Sequence, residues 1–162
     1  MSIPNPPRYQ YIGFLVSMPF ITFALLSIMY EDRLYQDYRI WLVAFPIIYG
    51  IGYLSWRTHY VYDHFIQSRY PTVKETRKRV FFTIPVNLLV MTPSVLLIFF
   101  TFHWFGIMGY RIQPHDLTYG YLVGLAVNIL FESLWEVMYI IEKLKESAAE
   151  KERMEQLQLR QE

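Results

Sequence analysis

Between Asn128 and Lys145 the chain reads NILFESLWEVMYIIEKLK, and its apolar part, up to Ile141, carries two carboxylates, Glu132 and Glu136, one helical turn apart. Steps of four extend the line backward through Asn128 and Gly124 to Gly120, so small residues occupy one half of a helical stripe and polar residues the other. A carboxylate in such a run has three outlets: it pairs with a cation, lines a wet cavity, or remains protonated. Asn128 can hydrogen-bond across a helix interface, and Gly120 and Gly124 let another helix approach closely, so the stripe reads as a packing seam joined to a polar site. A second amide, Asn87, lies between Pro85 and Pro93 in IPVNLLVMTPS, where kinked helices can leave a cavity.

His59, Asp63 and His64 form the other group with chemical potential. His59 and Asp63, four residues apart, would share one helical face at a spacing compatible with two metal ligands, but no third ligand lies nearby. The same stretch, YVYDHFIQ, also fits a short interfacial helix with Tyr60, Val61, His64 and Phe65 on its apolar side, ended by a turn at Tyr70-Pro71. His103 is the only histidine well inside an apolar run, so a bis-histidine haem site has no second ligand at matching depth.

Other chemistries are not signalled. There is no Gly-x-x-x-x-Gly-Lys phosphate loop, no Gly-x-Ser-x-Gly elbow and no His-Glu-x-x-His. The absence of cysteine removes disulfides, thiolate metal sites and cysteine nucleophiles. No cofactor and no enzymatic activity are therefore expected of these residues, and an intramembrane enzyme would need a second clear catalytic partner for the carboxylates.

The elements that position these side chains follow from composition. Of 162 residues, 54% are hydrophobic and 19% aromatic, a balance outside the usual range of soluble domains and expected of a polytopic membrane protein. About 20 helical residues cross roughly 30 Å of hydrocarbon. Four runs are long enough, near 11–30, 40–56, 80–105 and 117–141, so the expected fold is all-α with four transmembrane helices. MSIPNPPRYQ has a single charge, Arg8, and no small-residue cleavage site follows the first run, which reads as a retained helix.

Charge sets the orientation. Arg57, Arg69, Lys74, Arg77, Lys78 and Arg79 crowd the segment between the second and third runs, and Lys143, Lys145, Lys151, Arg153 and Arg160 follow the fourth. EDRLYQDYR and GIMGYRIQPHD carry few basic residues. By the positive-inside rule both termini are cytoplasmic and the two weakly basic loops are external. Those loops are too short to fold as ligand-binding domains, so any external signal must be read at or within the bilayer. The basic residues are explained by topology, and nucleic acid is not an expected partner.

Depth separates the two carboxylates. Glu132 lies about 18 Å and Glu136 about 24 Å along the helix from Gly120, at 1.5 Å per residue. Glu136 thus approaches the inner interface, where it can pair with Arg79 or Arg57, while Glu132 stays in the cytoplasmic third. The membrane region is taken as 1–142. Beyond it, residues 143–162 contain neither Gly nor Pro and should continue the fourth helix as a cytoplasmic extension. Val137, Ile141, Leu144 and Ala148 keep a 4-3-4 spacing that Met154 and Leu157 resume out of phase, as in a coiled coil with a stutter.

NILFESLWEVMYIIEKLKESAAEKERMEQLQLRQE resembles the last membrane helix and connector of LytS-type sensor histidine kinases, the kind that partner LytTR response regulators in Bacteroidetes. RYPTVKETRKRV is similar to the Tyr-Pro and Lys-Arg connector before the third span in those proteins. The resemblance covers the layout of four spans and the residues of these two stretches. No Pro-His-Phe-Leu-Phe-Asn-like box and no ATP-binding domain occur in the sequence, so the likeness is to the membrane region alone. It implies a bacterial inner membrane location, a kinase domain or response regulator as cytoplasmic partner, and a two-component system.

Two functions are consistent with these residues. One is a sensor and dimerisation module in which the fourth helix, paired in a homodimer through its glycine stripe and extension, carries a change from bilayer to cytoplasm. The other is a self-contained small membrane protein, either a subunit of a complex or a transporter-like binding unit using Asn87, Asn128 and Glu132.

Overall fold

The computed structural model describes residues 5–161; the first four residues of the amino-terminal lead and Glu162, the last residue of the extension, lie outside that range. Five α-helices follow one another: α1 (Arg8–Tyr30), α2 (Arg33–Gln36), α3 (Tyr38–Arg69), α4 (Thr76–Trp104) and α5 (Pro114–Gln161), with single 3-10 turns at Val73–Glu75 and Ile107–Gly109. All the regular structure among the described residues is helical. α1, α3, α4 and α5 are each long and apolar enough to cross a membrane.

Local chemistry sets most of the boundaries. Pro7, with its fixed φ near −64°, precedes α1, and Pro114 opens α5, where its missing N–H would be unpaired in any case. Asp37 caps α3 by accepting from the Arg39 N–H at 3.0 Å. Thr72 and Glu75 form a capping box on the turn before α4. α4 stops at Trp104, and Gly106 then turns the chain through the left-handed region at φ 57°. Pro19, Pro46, Pro85 and Pro93 lie within helices that continue through them.

The four long helices make a closed ring in which α1 touches α3 and α5, α4 touches α3 and α5, and α1 and α4 stand on a diagonal. Phe14, Leu26, Ile48, Met91 and Phe99 are among the side chains that fill its axis. Many large apolar side chains point outward instead, including Phe20, Leu42, Phe81, Leu89 and Phe105. Such a surface is suited to acyl chains rather than water.

Small residues let helix backbones approach closely. A Cβ on Gly120 would collide with the ring of Phe99, and one on Gly124 would lie 3.0 Å from Val95 Cγ2. Both glycines are therefore spent on α4 of the same chain. The stripe is an intramolecular seam, which corrects the expectation that Gly120 and Gly124 join two protomers.

A second correction concerns the segment after the second span. No separate interfacial helix forms at YVYDHFIQ, because α3 runs unbroken to Arg69. No Gly or Pro interrupts it between Gly52 and Pro71, and the turn comes at Tyr70-Pro71. The inward face of this last part carries Tyr60, Asp63 and Ile66, whereas Val61 and Phe65 are exposed.

At the end opposite the basic segment, the short connections interlock. Tyr30 Oη donates to the Ile107 carbonyl at 2.7 Å, Arg33 Nη2 to that of Met108 at 2.8 Å, and Tyr110 Oη to Asp116 Oδ2 at 2.6 Å. His103 Nδ1 accepts from the Ile112 N–H at 3.2 Å, so this imidazole closes a turn. At the basic end the last contacts are made near Tyr139. From residue 144 to 160 every side chain of α5 is exposed.

Candidate functional site

The site lies at the basic end, where α3, the Tyr70–Thr76 turn, α4 and α5 converge. Arg79 is in the first turn of α4 and is 1% exposed. A buried guanidinium is costly unless all of its donors are used, and here all are. Nη1 donates to the carbonyls of Tyr70 at 2.7 Å and Thr72 at 2.6 Å. Nη2 donates to Thr76 Oγ1 at 2.9 Å and Glu136 Oε1 at 2.7 Å, and Nε to the same carboxylate at 3.1 Å. The Tyr139 ring covers the guanidinium at 4.6 Å, and its hydroxyl donates to the Pro71 carbonyl at 3.0 Å. A planar fork with five donors suits this role, which a lysine could not fill.

With Arg79 committed to Glu136, the neighbouring carboxylates have little cationic company. Asp63 is 8% exposed, and its Oδ1 has no hydrogen-bond partner. Glu132 Oε1 lies 3.6 Å from His59 Nδ1, while His59 Nε2 is buried and unpartnered. Three carboxylates thus converge on one guanidinium and one imidazole. Such a group gains from any donor or cation that can reach it.

Two cavities give that access. A narrow one of about 170 Å³ follows the axis of the ring, and a larger one of about 490 Å³ opens among α3, α4 and α5. Asp63, Asn128, Glu132 and Trp135 line both, and so stand where the two adjoin. Asn87 lines the larger; it is 2% exposed and its Oδ1 has no partner. Ile66, Ile84, Leu88, Leu125 and Ile129 add apolar surface to the same lining.

The residues singled out from sequence are distributed as follows. Asn87, Asn128, Glu132 and Glu136 face the larger cavity together with Arg79. Arg57 does not join them: its guanidinium lies 5.8 Å over the Tyr60 ring, one turn along its own helix. Asn128 and Glu132, one turn apart on α5, make no hydrogen bond to each other. His64 stacks on Tyr60 with ring centroids 6.2 Å apart. Among the described residues, no three His, Asp or Glu side chains are arranged to hold a metal ion.

His59, Asp63, Trp135 and Tyr139 also belong to the site, although sequence reasoning did not place them there. A signal for two of them existed. With no helix breaker before Pro71, the face that carries Gly52 and Trp56 inward continues through His59, Asp63 and Ile66 at steps of three and four. Trp135 betrays itself less directly. Its ring fills the space where a Cβ on Gly13 would stand, and it lies 5.8 Å from the ring of Tyr9.

Comparison with known proteins returns no match to a protein-family model, to a curated protein or to a solved structure.

Proposed function

We propose that this chain is a membrane-embedded sensing and transmission module, in which a change inside the four-helix ring alters the position of α5 and so of the helix that extends beyond it. The supporting observation is the place of the Arg79 clamp. It grips Glu136 and Tyr139 in the last turns of α5 that touch the rest of the bundle. Past that point α5 runs on alone to Gln161. A clamp there controls the angle and rotation of everything beyond it, since a continuous helix moves as one body.

In this reading the polar cluster belongs near the cytoplasmic face of a bacterial inner membrane, and α5 serves as the connector that LytS-type kinases place before their phosphoacceptor domain. Val137, Ile141, Leu144, Met154 and Leu157 are exposed along α5 and would supply the contact between two copies. A kinase domain or a response regulator would be the cytoplasmic partner.

Spin labels at Ser68 and Ser147, both exposed, report the angle between α3 and the extension. In nanodiscs, the distance distribution by pulsed electron resonance should shift when Glu136→Gln loosens the clamp, and also between thin and thick bilayers. An unchanged distribution in all three conditions would overturn the reading.

The larger cavity favours a second function, a transporter-like binding unit or subunit built on Asn87, Asn128 and Glu132. Passage of a solute would have to open the interlocked connections around Tyr110 and Asp116. Uptake into proteoliposomes separates the two, because a sensing module leaves the lumen empty.

A further inference from the structure

Three helices bring polar side chains to the same cavity, among them Asp63 from α3, Asn87 from α4 and Glu132 from α5. The buried side-chain atoms on this wall that find no partner are both oxygens, Asp63 Oδ1 and Asn87 Oδ1. Asn87 carries no charge and is 2% exposed, so its orphaned amide oxygen indicates a missing donor independently of the charge of the carboxylates. Arg79 cannot supply that donor, since its five N–H groups are already used. His59 does not line this cavity; it meets Glu132 from the axial side.

Ile66, Val80, Ile84, Leu88, Leu125 and Ile129 make the lining predominantly apolar, and the volume, about 490 Å³, falls in the range of small-molecule sites rather than that of a single ion or water. A lipid tail would satisfy Ile84, Leu88 and Ile129 but leave Asp63 Oδ1 and Asn87 Oδ1 unpaired. A bare metal ion would satisfy the oxygens and leave the apolar wall empty. We propose that this cavity binds a small amphiphilic ammonium ion, a protonated primary amine on a hydrophobic body. Its N–H donors serve Asp63, Asn87 and Glu132, and its body lies against Ile84, Leu88, Leu125 and Ile129. The inference deepens the sensing function by naming the class of signal, and rests on it for that purpose. Binding itself is a separate property of the cavity.

Phenethylammonium and its neutral counterpart 2-phenylethanol are suitable probes, titrated calorimetrically into the protein in nanodiscs with empty nanodiscs subtracted. The amine should bind saturably and the alcohol should not. Asp63→Asn and Asn87→Leu should each weaken the amine by about tenfold or more, the loss expected for a charge-assisted or buried hydrogen bond. Equal binding of amine and alcohol by the unaltered protein overturns the proposal without reliance on any variant. So does the absence of saturable amine binding, or an Asp63→Asn protein, folded by circular dichroism, that binds the amine as before. Amine binding with no movement between labels at Ser68 and Ser147 would keep the site and reject the sensing function; movement between bilayers without amine binding would do the reverse.

Discussion

Arg79 on α4 and Glu136 on α5 are joined through two nitrogens of the guanidinium, Nη2 at 2.7 Å and Nε at 3.1 Å from one carboxylate oxygen, beneath the ring of Tyr139. The same guanidinium ties down the carbonyls of Tyr70 and Thr72, so one side chain connects the end of α3, the start of α4 and the exit of α5. Everything that distinguishes this end of the bundle depends on that pair.

Breaking it should be costly. Removing one partner of a buried ion pair costs about 3–5 kcal/mol, and Glu136, 20% exposed, places Glu136→Gln toward the lower end of that range. Arg79→Lys should lose nearly as much, because a single ammonium cannot reach Glu136, Tyr70, Thr72 and Thr76 together. Unfolding in mixed micelles measures both. A double-mutant cycle with coupling near zero would mean that the pair is incidental.

The glycine seam gives a contrast between packing within and between chains. Gly120→Leu must displace Phe99 and should destabilise the bundle by about 1–3 kcal/mol. Cysteines placed at Leu144 or Ala148 should still cross-link two copies, since both positions are exposed and far from that seam. Equal cross-linking at every position around α5, or its loss on Gly120→Leu in protein that remains folded, would show that the dimer contact has been misplaced.

Alkaline pH should open the opposite end first. Burial pushes the Tyr110 hydroxyl well above the usual tyrosine range, and its hydrogen bond to Asp116 and that carboxylate's charge push in the same direction. A folded-state value above the unfolded one means that the stabilisation is complete below about pH 10 and declines as pH rises further. Hydrogen exchange at residues 106–116 should therefore accelerate above pH 10. Tyr110→Phe should remove most of that dependence, and an unaltered pH profile in the variant would assign it elsewhere.

Orientation is open to direct measurement. Reporter fusions at Gln36 and Gln113 should read external, and those at Ser68 and Glu162 internal. An internal signal at Gln36 would reverse the proposed topology.

The existence of the four long helices was legible in the sequence because it depends on local terms, although the continuation of α3 to Arg69 was not. Long apolar runs and an extension free of Gly and Pro both act within a few residues of themselves. The approach of Glu136 to the basic end was legible for the same reason, as a rise of about 1.5 Å per residue. Which cation it meets was not. Arg57 and Arg79 were both within reach along the bundle axis, and the choice was made by rotation: α3 directs Arg57 over Tyr60, while α4 turns Arg79 toward α5. Rotation about a helix axis is set by all of its neighbours together. That also decided that Gly120 meets Phe99 of the same chain rather than a second copy, and that Asp63 and Asn87 come to one cavity from helices joined by a turn. Sequence thus determined where the long helices lie and the order of residues along each; tertiary structure alone decided which of them face each other, because contact across a ring of helices is a relation among elements and not a property of any one.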